Sequence, residues 1–148
     1  AVQFYQHCLA LAEGIEDEAK QGEVLEALGQ TNYQLGDNER ALYWMELACK
    51  LYDSNEHKEG KINAHYFFGK LLAECGSWTK AVVHMEVARD LVEAGSKTYA
   101  RVVGDIGFSL VQLGEREKGL GMLMEMLQLA AELGDATRLI SPRDLTSP

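Results

Sequence analysis

A beat of seven and then five residues recurs three times along this chain: Gly29, Gly36, Ala41; Gly69, Gly76, Ala81; Gly107, Gly114, Gly119. The copies stand 40 and 38 residues apart, and their neighbours repeat with them: Leu28-Gly29 and Leu35-Gly36, Phe68-Gly69 and Cys75-Gly76, Ile106-Gly107 and Leu113-Gly114. Self-similarity at a period of this length marks stacked supersecondary units, none of which can bury its apolar face alone. The chain is therefore expected to form a helical repeat array rather than one closed globule, and to work by surface contact.

Aligning the copies on their first glycine lays 21–35 over 61–75 and 99–113, and 38–51 over 78–91 and 116–128, so each copy holds two helical stretches. The second glycine of each beat (Gly36, Gly76, Gly114) is predicted to end a helix, where a left-handed residue costs least without a Cβ. Asp37 and Ser77 follow and are candidate caps for the next helix, with Glu115 a poorer one. The first glycine (Gly29, Gly69, Gly107) falls inside a helix, where it costs about 1 kcal/mol against Ala. Three at one repeat position imply a close helix crossing, with Ala41, Ala81 and Gly119 as the small partners. Ala41, Met45, Ala48 and Leu51 keep helical spacing, matched by Ala81, Met85, Ala88 and Leu91, so the methionines read as core rather than cofactor ligands.

Only two prolines occur, Pro142 and Pro148, leaving 1–141 free of that helix breaker. The fold class expected is all-α. Residues 1–14 superpose on the second helix of a repeat, Ala1, Tyr5, Cys8 and Leu11 falling over Ala41, Met45, Ala48 and Leu51. The expected organisation is that half repeat, then helix pairs at 16–54, 56–94 and 97–134, then a tail at 135–148 after a turn at Gly134-Asp135. A start in mid-repeat implies neighbouring repeats of the same longer chain as partners.

A formal net charge of −9 argues against a broad phosphate-binding surface, so no nucleic-acid partner is expected. No apolar run reaches the roughly 20 residues of a spanning helix, so no membrane insertion is expected. Cys8, Cys49 and Cys75 fit no zinc or redox spacing, which with the absence of a glycosylation sequon favours a cytoplasmic, reducing setting. His65 and His84 fall in different helices, neither with a second ligand three or four residues on, so no metal and no cofactor are expected. Gly119-Leu120-Gly121 lacks the rest of a dinucleotide fingerprint, and no catalytic Ser/His/Asp or Cys/His arrangement is indicated.

Leu28-Gly29, Tyr33, Leu35-Gly36, Ala41-Leu42 and Ala48 resemble the signature of the tetratricopeptide repeat family. Phe68-Gly69, Gly76, Ala81 and Ala88 resemble it nearly as well, and the third copy departs from it at Gly119 and Met126. The long step is similar to the branch represented by Leu-Gly-Asn-type scaffolds. The resemblance covers residues 1–134 and implies a right-handed α-solenoid of antiparallel helix pairs, about three and a half repeats long. It also implies a concave groove lined by the first helix of each pair. Carried over position by position, the groove rows are Gln30, Lys70, Phe108; Tyr33, Ala73, Val111; Gln34, Glu74, Gln112; Glu26, Tyr66, Gly104; Ala27, Phe67, Asp105; and Glu23, Asn63, Arg101. The candidate partner-binding residues among them are Gln30, Tyr33, Gln34, Asn63, Tyr66, Phe67, Lys70, Glu74, Arg101, Phe108 and Gln112. Phe67 and Phe108 either anchor a ligand or pack into the neighbouring repeat. The basic clamp of chaperone-tail binders is incomplete here, with acids intruding, and the asparagine ladder of Leu-Gly-Asn scaffolds is missing.

The function this implies is a non-catalytic scaffold or adaptor that holds a partner protein or linear peptide in the groove. Two alternatives stay open: a structural, for example cytoskeletal, subunit docking by its ends and convex face, and a peptide-sensing domain attached to an output domain.

Overall fold

The computed structural model describes the backbone of residues 2–139 and the side chains of residues 7–134. Among the described residues there are seven helices and no strand: α1 (Val2–Glu13), α2 (Glu18–Gln34), α3 (Asn38–Ser54), α4 (Lys58–Glu74), α5 (Trp78–Leu91), α6 (Lys97–Gln112) and α7 (Arg116–Leu139). No helix among them is long and apolar enough to cross a membrane.

The turns inside the three pairs are copies of one motif. Gly36, Gly76 and Gly114 have φ of 81°, 80° and 90°, the left-handed region. Around each, the glycine N–H donates to the carbonyl three residues back and the next N–H to the carbonyl five residues back, as in Gly76 to Ala73 at 3.0 Å and Ser77 to Leu72 at 2.8 Å. These bonds satisfy carbonyls that a helix end otherwise leaves open. Asp37 caps α3 by accepting from the Arg40 N–H at 3.1 Å, as expected. Ser77 does not act as expected. It occupies the cap position of α5 without accepting a side-chain bond, and the backbone motif alone shapes that turn. Three unforeseen caps open first helices: Asp17 Oδ1 accepts from Ala19 N–H at 3.0 Å, His57 Nδ1 from Gly60 N–H at 3.0 Å, and Ser96 Oγ from Tyr99 N–H at 3.1 Å.

Each helix packs against those beside it in the chain, and α2 also touches α4, and α4 touches α6. The glycine crossings lie where the repeat placed them. A Cβ built on Gly69 would stand 2.7 Å from Met85 Cγ and 3.1 Å from the Ala81 carbonyl. At the third crossing the two backbones meet directly, a Cβ on Gly119 standing 2.6 Å from the Gly107 carbonyl oxygen. Ala41, Met45, Ala48, Ala81, Met85 and Ala88 are all buried, with Trp44, Tyr52, Ile106 and Leu110 among the larger core side chains. Burying each large apolar group contributes roughly 1.5–3 kcal/mol, so the methionines act as packing, as their repeat position implied.

Two expectations about the ends change. In α1, Cys8 is half-buried but Leu11 is exposed, and the buried residue is Ala12, the counterpart of Tyr52. Ala1 and the side chain of Tyr5 lie outside the described residues. At the other end α7 runs through Gly134 and Asp135 to Leu139 instead of turning there. Gly134 has no positive φ and nothing near its would-be Cβ, so it is a tolerated glycine in a solvated helix. Residues 140–148 of the expected tail lie outside the described residues.

Candidate binding face

The successive contacts of α2, α4 and α6 bring the predicted rows together at two junctions. At the α2–α4 junction, Tyr33 lies edge-on to Phe67 with ring centroids 6.0 Å apart, and its hydroxyl donates to Glu74 at 3.0 Å. That bond to Glu74 holds the Tyr33 hydroxyl above the ordinary phenol value. At the α4–α6 junction the Tyr66 hydroxyl donates to Asp105 at 2.5 Å, and Lys70 lies 5.4 Å from the centre of the Tyr66 ring. Burial, then the bond to Asp105, pushes the Tyr66 hydroxyl well above its usual range, so it stays a donor.

The second junction also opens. A cleft of about 190 Å³ is lined by Lys70, Ala73, Glu74, Trp78, Asp105 and Phe108, with Met85 and Ser109 at its base. Phe108 is 52 % exposed and packs edge-on against Trp78 with centroids 5.9 Å apart. The volume is below the ~300–1,000 Å³ of small-molecule pockets and comparable to an engineered cavity of about 150 Å³ that holds one benzene ring. It has room for one apolar side chain, under a rim carrying one cation and two carboxylates.

Of the predicted residues, Tyr33, Phe67 and Glu74 meet at the first junction, and Tyr66, Lys70, Glu74 and Phe108 at the second. Phe67 packs against the core as a half-buried residue, whereas Phe108 faces outward. Gln30, Gln34, Asn63 and Gln112 are exposed and do not line the cleft. Arg101 lines a separate recess of about 660 Å³ between α6 and the far part of α7, with Lys97, Ala100, Met126 and Ala130. Two members of the wider rows are turned away from the face. A Cβ on Gly104 would meet Met126 of α7 at 2.9 Å, and Glu26 is half-buried beside Tyr52 of α3. Burial raises the Glu26 carboxyl to about 7, and its Oε1 is buried without a hydrogen-bond partner. Trp78 was missed in the sequence because its repeat counterparts, Asn38 and Arg116, are polar and gave no row to join.

A second constellation was also invisible in the sequence. Cys49 of α3, His65 of α4 and His84 of α5 converge, with one donor atom from each lying within 4.8 Å of the others. His65 Nδ1 stands 2.9 Å from His84 Nδ1, and His65 Nε2 stands 2.7 Å from Asp53 Oδ1. Burial, then the neighbouring His65, holds His84 below the ordinary imidazole value, and burial pushes the Cys49 thiol upward. Spacing along one helix could not bring the two histidines together, because their partners lie across helices.

Compared with known proteins, the chain matches no family model and no curated protein.

Proposed function

We propose that the chain is a non-catalytic binding segment of the tetratricopeptide repeat type, a solenoid that takes a linear peptide along the α2–α4–α6 face. The observation that carries this reading is the α4–α6 cleft, where half-exposed Phe108 and partly buried Trp78 wall a space for one apolar side chain. An exposed aromatic beside a partly buried one at a cleft is what peptide anchors use, and buried aromatic contacts dominate interface energy. Glu74 and Asp105 at the rim favour a basic residue beside the anchor. The repeat signature, the shared turn motif and the crossings at Gly29, Gly69 and Gly107 support the family assignment.

The test is selection from a displayed linear-peptide library, followed by affinity measurement on variants. Phe108→Ala and Trp78→Ala are each expected to weaken the selected peptides by about tenfold or more, or ~1.4 kcal/mol. Tyr66→Ala is expected to weaken them less. Failure to select any peptide, or affinities unchanged in both aromatic variants, contradicts the proposal.

One observation favours a second reading, docking through the second helices. Leu120, Met124 and Leu127 form an exposed stripe on α7. The repeat counterparts of Leu120 are half-buried Leu42 and buried Val82, whereas those of Met124 are Glu46 and Glu86. A helical neighbour packed on α7 would cover Leu120 as Leu42 and Val82 are covered on α3 and α5, and Met124→Glu, which restores the residue of the other copies, would abolish that association while leaving peptide affinity intact.

A further inference from the structure

We propose that Cys49, His65 and His84 form a binding site for one zinc-type divalent cation. The site sits where the α2–α3 pair meets the α4–α5 pair, and it would tie three helices together. Nothing in the peptide-binding reading requires it.

The donor chemistry is that of zinc: one thiolate sulfur and two imidazole nitrogens. Cys49 and His65 are each only 3 % exposed, so packing fixes their positions. The two Nδ1 atoms already stand 2.9 Å apart, and all three donors fall within 4.8 Å. Ligands at 2.0–2.3 Å from a tetrahedral ion stand roughly 3.3–3.8 Å from one another, so a shift on the order of 1 Å completes the set. His65 is also held as a metal-binding histidine usually is. Its Nε2 donates to Asp53 at 2.7 Å, which fixes the tautomer and leaves the Nδ1 lone pair facing His84 and the thiol. Lys61, 3.7 Å from the same Asp53 oxygen, steadies that carboxylate. His84 is the less buried ligand and is braced edge-on by Phe68 at 4.7 Å, so the fourth position lies toward its more open side, for water or an incoming donor.

Without a cation, the imidazoles close as a relay in which His84 Nδ1–H donates to His65 Nδ1 and His65 Nε2–H donates to Asp53. In that arrangement Cys49 takes no part, so the thiol separates the two states. On cation binding the thiol proton leaves to solvent and the sulfur binds as thiolate.

The test is a cobalt(II) titration of the chelator-stripped 148-residue chain, prepared without a histidine tag. The expected result is one equivalent of tetrahedral cobalt with a thiolate-to-metal charge-transfer band, bleached by one equivalent of zinc. Cys75→Ser, at an exposed thiol, retains the band, Cys49→Ser loses it, and Asp53→Asn weakens binding by about tenfold or more. No tetrahedral spectrum, or a band that survives Cys49→Ser, overturns the proposal. Should Cys49→Ser fail to fold, X-ray absorption of the zinc-loaded wild type decides. One sulfur and two histidine nitrogens at about 2.0–2.3 Å support the site, and a shell of oxygen and nitrogen alone overturns it.

Discussion

The two junctions along the α2–α4–α6 face use the same repeat positions and reach opposite results. At the first, Tyr33 spans the gap, touching Phe67 and donating to Glu74. At the second, the counterpart of Tyr33 is Ala73, and the space a ring would fill is the cleft beneath Phe108 and Trp78. Ala73 in place of Tyr33, together with Trp78 and Phe108 in place of Asn38 and Lys70, separates the open junction from the sealed one, while the backbone motif around them stays the same. Among stacked copies a cleft can arise by omission, through a small residue where the neighbouring copy is large.

Filling the omission should have the largest effect. Ala73→Tyr is expected to lower peptide affinity at least thirtyfold, about 2 kcal/mol, with thermal stability unchanged or raised, because the new ring can span toward Asp105 and Gln112 as Tyr33 spans toward Phe67 and Glu74. Calorimetric titration with a selected peptide checks it, and retained affinity breaks the comparison. The reverse change, Tyr33→Ala, should open the first junction. It removes one edge-on ring contact and one exposed hydrogen bond, a small loss of stability in denaturant unfolding, and should leave peptide affinity at the second junction within about twofold.

The smallest effect concerns pH. Glu26 and Tyr66 share a repeat position, but Glu26 is a carboxyl raised to about 7 by burial, whereas Tyr66 is a donor bound to Asp105. The folded Glu26 holds its proton more tightly than the unfolded one, so between about pH 4.5 and 7 the native state carries the extra proton and stability falls as pH rises. Because water still reaches part of the carboxyl, the contribution is discounted to about 1 kcal/mol. Glu26→Gln should flatten the stability profile across that window relative to wild type, and an unchanged slope would show that the carboxyl is not buried as described.

Much of the fold was legible because the glycine beat has local causes. A left-handed turn needs glycine at Gly36, Gly76 and Gly114, and a close crossing needs a small residue at Gly107 and Gly119. Gly134 misled for the complementary reason, since a glycine in a solvated helix has no required conformation. The site was less legible. Tyr66, Lys70 and Phe108 could be placed by repeat position, but the cleft depends on what Ala73 lacks and on Trp78 at a helix start, and neither carries a periodic signal. The Cys49, His65 and His84 constellation depends on three helices docking in register, which no spacing within one helix reports.

The most direct test of the account is a backbone amide shift map of the wild-type chain saturated with a selected peptide. The account predicts perturbations centred on Lys70, Ala73, Trp78, Asp105 and Phe108, with the first junction around Tyr33 and the outer face of α7 unaffected. Perturbations centred on Leu120, Met124 and Leu127, or spread evenly along the chain, would contradict it.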